Sequence, residues 1–229
     1  MKALTSEQMR ALDRRSETEF GVTSLQLMEN AGRAIANAVI KILCEKLSRP
    51  LGEALVVVCC GRGNNGGDGL AAAINLKKSG VPVEVYCVPL PENKPMKPEY
   101  EAQVKEAKKN GIIPKFVNNP EIMSESLVQT ALIVDALLGT GSKGKPMGPA
   151  HKIIQKIMKA KKPILALDIP SGIDADTGYH SGVYIQANWT VTLGAAKTGL
   201  LKPYAQQYIG ELIVTDIGHP KKLLEEYLK

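Results

Sequence analysis

Apolar residues recur along the first 43 positions at the spacing of amphipathic helices. The segment from Thr5 to Gln8 is typical of a capping box and predicts the start of a first helix. The apolar side of this helix is predicted to include Met9, Leu12 and Phe20. Thr23 or Ser24 is predicted to cap a second, longer helix over residues 24–43. One face of the second helix combines Leu25, Met28, Ala31, Gly32, Ile35, Val39 and Ile42.

Short, continuous apolar runs replace this spacing in the rest of the chain. They predict strands at 54–60, 81–88, 131–138, 163–168, 187–193 and 211–216. Helices are predicted at 70–79, 99–110 and 150–160, with a proline-rich loop through Pro89, Pro91, Pro95 and Pro98 and a short run from Ile112 to Val117. Strands that alternate with helices and are apolar throughout indicate a mostly parallel sheet covered on both faces. We therefore predict one α/β domain over residues 1–229.

Composition is typical of a globular protein, with 44% hydrophobic and 23% charged residues in a length of 229. No apolar run approaches the roughly 20 residues that span a bilayer, and the first residues lack the apolar segment of a secretory signal. Cys44, Cys59, Cys60 and Cys87 stand in apolar surroundings without the spacing of a metal site. We expect buried, reduced thiols in a cytoplasmic protein without membrane contact.

The formal net charge of +6 is consistent with steering an anionic substrate or with binding nucleic acid. The lysines are spread along predicted helices and loops, however, and aromatic residues make up only 4% of the chain. A protein that binds single strands needs aromatic side chains on which bases stack. The pattern favours a solvated basic surface, and we expect no nucleic-acid partner.

The first segment with candidate chemistry runs from Gly61 to Gly69, between a predicted strand and a predicted helix. Its glycines allow positive φ angles and a close approach to a ligand, and the free N–H groups of the following helix suit a phosphate. Residues 61–66 also match the dinucleotide pattern GxGxxG. A dehydrogenase would place an acidic residue at the end of the second strand, whereas Glu84 lies inside it. We predict a site for a phosphorylated small molecule.

A second glycine-rich loop, Gly139 to Lys145, follows strand 131–138. Its backbone donors, hydroxyls and lysines suit a second phosphate contact, and a plain surface turn is the alternative. Asp135 lies within the apolar strand just before this loop. A buried carboxylate is costly without a partner, so Asp135 requires a hydrogen-bond network, a basic residue or a bound cation.

A third polar loop follows strand 163–168, which ends at Asp168. In parallel sheets this position directs a carboxylate toward the ligand crevice at the carboxyl ends of the strands. Ser171 and Gly172 add a hydroxyl and close-approaching backbone. The segment from Asp174 to Gly178 resembles half of a calcium loop, but a turn explains it better because the bidentate glutamate is missing. The three histidines show no metal-ligand spacing.

Four of these segments stand in the order typical of one family: Leu27 to Ala34, Gly61 to Gly69, Val134 to Gly139 and Asp168 to Gly172. Together with the segment Thr192 to Lys197, they make the chain similar, over nearly its whole length, to the YjeF N-terminal domain family of NAD(P)H-hydrate epimerases. The resemblance implies a Rossmann-like three-layer α/β/α sandwich with a mostly parallel central sheet. It also implies a homodimer that interconverts the R and S epimers of hydrated NADH or NADPH, with an ADP- or ATP-dependent dehydratase as functional partner.

The resemblance also assigns candidate site residues. Those expected to contact the hydrated dinucleotide are Asn64, Asn65, Gly66, Gly67, Asp68, Gly139, Thr140, Gly141, Ser142, Lys143, Gly144, Lys145 and Asp168. Those expected to bind one potassium ion per subunit are Asn65, Asp135 and Ser171. Such an ion would supply the partner that Asp135 requires, and oxygen ligands suit a hard cation.

Asp168 is the residue we expect to act as the acid/base group. Carbon 6 of the hydrated nicotinamide carries a hydroxyl beside the ring nitrogen, so protonation of that hydroxyl lets the nitrogen lone pair expel it. Water that returns from the opposite face inverts the centre. Two alternatives stay open: a non-catalytic binding or scaffold protein on the same fold, and another nucleotide-binding enzyme. Retention of the carboxylates and of the loop from Asn64 to Asp68 favours the epimerase.

Overall fold

The computed structural model describes residues 2–91 and 95–229. Met1 and residues 92–94, which belong to the predicted proline-rich loop, lie outside the described residues. The strands are β1 (Ala3–Leu4), β2 (Val56–Cys60), β3 (Val83–Cys87), β4 (Lys115–Phe116), β5 (Leu132–Ala136), β6 (Ile164–Leu167), β7 (Trp189–Leu193), β8 (Ala196–Lys197) and β9 (Glu211–Thr215). The α-helices are α1 (Ser6–Phe20), α2 (Ser24–Lys41), α3 (Asn64–Lys78), α4 (Pro98–Lys109), α5 (Ser124–Gln129), α6 (Gly148–Ala160), α7 (Gln206–Ile209) and α8 (Lys221–Tyr227).

Seven strands form one parallel sheet in the order β4-β3-β2-β5-β6-β7-β9. The chain builds outward from β2 in one direction through β3 and β4, then returns to the other side of β2 with β5. The strand order therefore reverses between β2 and β5, which is where ligands bind in open α/β sheets. A separate parallel pair joins β1 to β8 near the N-terminus. The predicted α/β class with a parallel central sheet is confirmed.

The central strands β2, β5 and β6 are buried on both faces, because they are apolar at every position except Asp135. On β2, Val56, Val58 and Cys60 face a core formed with α2, α3 and α4, while Val57 and Cys59 face a second core formed with α5 and α6. This two-sided burial explains why continuous apolar runs, rather than alternating ones, mark the strands. Within the described residues, no helix has the length and apolar character to cross a membrane.

Most boundaries differ from prediction by one to three residues, and the caps explain where the helices begin. The Thr5 side chain accepts a hydrogen bond from the backbone of Gln8, and Thr23, rather than Ser24, caps α2 in the same way with Gln26. Helix α2 ends at Lys41, and a π turn over Ile42–Lys46 follows it. The short elements α5, α7, α8, β1 and β8 have weak sequence signals and were not predicted.

Two predictions of burial were wrong. Phe20 is 47% exposed because it is the last residue of α1 and lies beyond the part of the helix that packs inward. Cys44 is exposed in the π turn after α2, whereas the other three cysteines are buried in the sheet as expected. An apolar residue near a helix end is buried only if another helix, strand or loop packs against it. The pattern of nearby residues in the sequence does not show whether such a contact exists.

Helices α2 and α3 pack in direct backbone contact at Gly32. A Cβ atom placed on Gly32 would lie 2.4 Å from the Cβ of Ala71 and 2.6 Å from its carbonyl carbon. Real carbon atoms do not approach this closely, so any side chain at this position forces the two helices apart. The close contact lets α2 and α3 pack side by side in the core on one face of the sheet.

We predict that Gly32→Ala lowers the free energy of unfolding by about 1–3 kcal/mol, the usual cost of overpacking a core. Helix propensity alone would favour alanine by about 1 kcal/mol, so a decrease identifies the contact with Ala71 as the cause. Urea unfolding at equilibrium measures the change. Gly52→Ala is the matched control, because a Cβ atom at Gly52 has nothing within 4 Å. Equal stability of the two variants would contradict the proposed contact.

Candidate active site

A cavity of about 630 Å³ opens where β2, β5 and β6 end, at the reversal of strand order. Predicted site residues that line it are Asn64, Asn65, Asp68, Gly139, Thr140, Gly141, Ser142, Lys143, Gly144, Lys145 and Asp168. The remaining predicted residues are buried and do not line the cavity in the described part of the chain; they are Gly66, Gly67, Asp135 and Ser171. Tertiary structure thus brings the three loops predicted from sequence to one edge of the sheet.

The first loop is shorter than predicted because α3 begins at Asn64 rather than at residue 70. None of the glycines between Gly61 and Gly69 has a positive φ angle, so conformational freedom does not explain them. Close approach does: a Cβ atom on Gly66 would lie 2.0 Å from the carbonyl oxygen of Gly61. The first turn of α3 can therefore fold back on the end of β2. Its N-cap, Gly63, supplies no side chain to the free N–H groups, which point to the cavity edge.

The second loop forms one wall of the cavity. All seven residues from Gly139 to Lys145 line it, and the Lys143 and Lys145 side chains are exposed. A Cβ atom on Gly139 would lie 3.1 Å from the Cβ of Asn65, so the first two loops touch at this point. Together they present amide donors, hydroxyls and positive charge to an anionic ligand.

Asp135 is completely buried and forms a hydrogen-bond network, one of the alternatives that the sequence left open. Its Oδ1 accepts from Ser171 Oγ at 2.7 Å, and its Oδ2 accepts from the Ser171 backbone N–H at 2.8 Å. The Leu137 N–H donates to Oδ1 at 3.2 Å. Burial raises the pKa of Asp135 to about 6, although these hydrogen bonds act in the opposite direction.

The same network extends to Asn65 and so connects the three predicted potassium ligands. The Leu138 N–H donates to Ser171 Oγ at 2.9 Å, and Asn65 Nδ2 donates to the Leu138 carbonyl at 3.1 Å. Groups of three or more His, Cys, Asp or Glu suited to a metal are absent from the described part of the chain. One carboxylate among hydroxyl, amide and carbonyl oxygens fits a hard cation of low charge better than a transition metal.

Asp168 directly follows β6 with a left-handed backbone, φ 68°. Its Oδ1 accepts hydrogen bonds from Lys197 Nζ at 2.5 Å, the Leu193 N–H at 3.2 Å and Thr192 Oγ1 at 3.3 Å. Lys197 is 1% exposed, and it also donates to the Leu193 carbonyl at 2.7 Å. A buried ammonium without a counter-ion would be very costly, so this ion pair is part of the core.

Lys197 was not among the predicted site residues. The signal available was the lysine that ends the segment Thr192 to Lys197, which the resemblance included without giving this residue a role. Sequence also gave no role in the site to α1, which contributes Met9, Arg10 and Asp13 to the cavity lining. Asp13 in turn accepts a hydrogen bond at 2.8 Å from His219, a buried histidine near the C-terminus.

Asp68 lies in the second turn of α3 and is 9% exposed. Burial raises the pKa of Asp68 well above its usual range, and the negative charges of Asp168 and Asp13 add to the shift. Lys197 acts in the opposite direction. The cavity therefore holds one carboxyl group that favours its protonated form and one that is ion-paired.

The segment from Asp174 to Gly178 forms a turn, as predicted. Asp174 Oδ1 accepts from the Asp176 N–H at 3.0 Å, the Thr177 N–H at 2.8 Å and Thr177 Oγ1 at 2.9 Å. This side chain stabilises its own backbone in the manner of an Asx turn. It is not part of the cavity lining in the described structure.

Known proteins with similar sequences are enzymes of NAD(P)H-hydrate repair. The chain is 34% identical over 231 residues to an NAD(P)H-hydrate epimerase of Elusimicrobium minutum, covering 99% of this chain and 100% of that one. It is 34% identical over 226 residues to a bifunctional NAD(P)H-hydrate repair enzyme of Moorella thermoacetica. That alignment covers 98% of this chain but only 42% of the bifunctional enzyme, so the chain spans about two fifths of its length.

Structure and family comparison agree with these sequence similarities. The crystal structure of a yeast protein superposes with a TM-score of 0.83 and 26% sequence identity, covering 99% of this chain and 93% of that one. The family described as YjeF-related protein N-terminus matches residues 24–199, a span that contains every predicted site residue. This chain therefore belongs to the YjeF-related protein N-terminus family.

Proposed function

We propose that this protein is an NAD(P)H-hydrate epimerase, an isomerase that interconverts the R and S epimers of hydrated NADH and NADPH. The observation that carries the proposal is the cavity at the reversal of strand order, where Asp168 joins two phosphate-suited loops in a chain similar over its whole length to a known epimerase. A binding protein without catalytic activity would not need buried carboxylates. Three buried carboxylates lie around this site.

The substrate binds with its pyrophosphate at the start of α3 and along the second loop. Free N–H groups at Asn64 and Asn65 and the positive end of the helix dipole favour a phosphate, and Lys143 and Lys145 add charge. The cavity volume of about 630 Å³ is within the range of small-molecule sites. The hydrated nicotinamide then lies toward the interior, where the carboxyl groups of Asp68 and Asp168 line the cavity.

One potassium ion per subunit is part of this proposal, held by Asn65, Asp135 and Ser171. Its chemistry would be to neutralise the Asp135 carboxylate and to fix the two phosphate loops relative to each other. The support is the hydrogen-bonded connection from Asp135 through Ser171 and Leu138 to Asn65. Asp135 and Ser171 are buried, so they act on the substrate through the loops that they hold.

Asp168 acts as the acid/base group at carbon 6 of the hydrated ring. Departure of the C6 hydroxyl as water forms a double bond between the ring nitrogen and C6, and addition of water to the other face gives the second epimer. The chain acts in this proposal as one cytoplasmic epimerase domain that forms a homodimer. The S epimer that it produces is the substrate of a dehydratase, either separate or, as the bifunctional relatives suggest, fused.

We predict that Asp168→Asn lowers kcat for conversion of the R to the S epimer about 100-fold or more, the usual contribution of acid–base catalysis. Chromatographic separation of the epimers of hydrated NADPH over time, with the spontaneous rate subtracted, measures it. The exposed Asp216 lies outside the cavity lining, so Asp216→Asn is the matched control. Wild-type conversion no faster than the spontaneous rate would contradict the epimerase proposal, and full activity of Asp168→Asn would contradict the role of that residue.

We also predict that potassium stabilises the folded protein more than sodium does. A ligand that binds only the folded state at ten times its dissociation constant adds about 1.4 kcal/mol to the free energy of unfolding. Asp135→Asn should abolish the difference between KCl and NaCl in the urea midpoint, whereas Asp216→Asn should retain it. Because burial raises the pKa of Asp135 to about 6, the carboxyl is mostly protonated at pH 5 and the potassium effect should weaken there. A potassium response that Asp135→Asn leaves intact would place the cation elsewhere.

A further inference from the structure

Asp68 and Asp168 line the same cavity, but their surroundings are opposite. Within residues 2–91 and 95–229 the Asp68 carboxylate accepts no hydrogen bond, and the residue is 9% exposed; Lys197 is a positive charge that acts on it. Asp168 receives three donors, one of them the buried ammonium of Lys197. All three donors contact Oδ1, and Asp168 is part of the cavity lining.

Two different elements bring the two carboxyl groups to the same cavity. Asp68 belongs to α3, which follows β2, and Asp168 directly follows β6. In the sheet β5 lies between β2 and β6, so the two anchoring strands are about 10 Å apart at the usual spacing. A planar ring that enters the cavity would lie near both carboxyl groups. Two groups suit an inversion at a ring carbon, because the leaving and entering oxygens occupy opposite faces.

We propose that Asp68 is a second catalytic residue, the proton donor to the departing C6 hydroxyl, and that Lys197 is a positioning residue that holds Asp168 as the ionised base on the opposite face. The inference rests on the proposed epimerase function and divides the acid and base roles between two groups. The raised pKa of Asp68 supports the donor role, since it shifts this carboxyl group toward the protonated form that a donor needs. Asp168 forms an ion pair with Lys197, as a carboxylate base would.

The proton transfers balance in both directions. Protonated Asp68 gives its proton to the C6 hydroxyl, the C6–O bond breaks with its electrons on oxygen, and the nitrogen lone pair forms the N–C6 double bond as water leaves. A second water adds to C6 from the other face, the double-bond electrons return to nitrogen, and the water proton goes to Asp168. Exchange with solvent then returns a proton to Asp68 and removes one from Asp168. The reverse reaction uses the same groups with their roles exchanged.

Other charged groups line the cavity around Asp68 and Asp168. Asp13 from α1 adds negative charge near Asp68, and its carboxylate is bonded to His219. The positively charged residues that line the cavity are Arg10, Arg62, Lys97, Lys143, Lys145 and Lys197. Of these, Lys197 is the one in an ion pair with Asp168, so its removal tests the positioning role directly.

The experiment is a pH profile of kcat for R-to-S conversion of hydrated NADPH in potassium buffer from about pH 5 to pH 9, since the operating pH lies near the catalytic pKa values. The wild-type rate should fall at high pH, where Asp68 loses its proton. Asp68→Asn should lower kcat about 100-fold or more and remove this fall. Lys197→Met should lower kcat with little change in KM, because Asp168 loses the ion pair that orients it. KM should change little in Asp68→Asn.

The matched controls are Asp216→Asn and Lys202→Met, which replace exposed residues outside the cavity lining and should keep the wild-type profile. A thermal shift on adding hydrated NADPH establishes that each variant is folded and binds substrate. If Lys197→Met does not fold, Lys197→Gln replaces it. Full activity of Asp68→Asn, or a high-pH fall that it leaves unchanged, would overturn the assignment of the donor. A folded Lys197 variant that keeps the wild-type kcat, or that changes KM alone, would overturn the positioning role, whereas an inactive wild type would reject the epimerase itself.

Discussion

Helix α3 lies in backbone contact with its neighbours at two points, and the site depends on these contacts. At Gly66 its first turn meets the carbonyl of Gly61 at the end of β2, and at Ala71 it meets Gly32 of α2. A side chain at Gly66 would push α3 away from the end of β2, and one at Gly32 would push the two helices apart. With α3 in place, its free N–H groups, Asn65 and Asp68 all reach the carboxyl edge of β2, beside the loops that follow β5 and β6.

Three buried carboxyl groups around this edge are stabilised in three different ways. Asp135 is held by hydrogen bonds from Ser171 and Leu137, Asp168 by the Lys197 ion pair, and Asp68 by favouring its protonated form. Such groups cost folding free energy unless each is compensated. Their concentration at one edge of an otherwise apolar sheet therefore reflects chemistry rather than stability, and it separates a catalytic site from a simple phosphate-binding cleft.

The residues suited to bind the substrate and the residues suited to react with it differ in how deeply they are buried. The second loop and the start of α3 present amide donors and exposed lysines near the mouth of the cavity, while Asp68 and Asp168 are buried. A dinucleotide held by its phosphates at the mouth would direct its nicotinamide ring inward. Binding energy from the remote phosphates then positions the reacting carbon without contributing to the bond changes themselves.

The sequence by itself determined the class of fold, because continuous apolar strands alternating with helices allow little besides a parallel sheet covered on both faces. It also located the three loops, since Asp135 and Asp168 interrupt apolar strands at positions that local structure does not explain. Only tertiary structure decided that α3 begins at Asn64, that Cys44 is exposed, and that Lys197 pairs with Asp168 across 29 positions of sequence. All three depend on which surfaces of the folded chain meet. The spacing of residues along a short stretch of sequence carries no information about such contacts between distant segments.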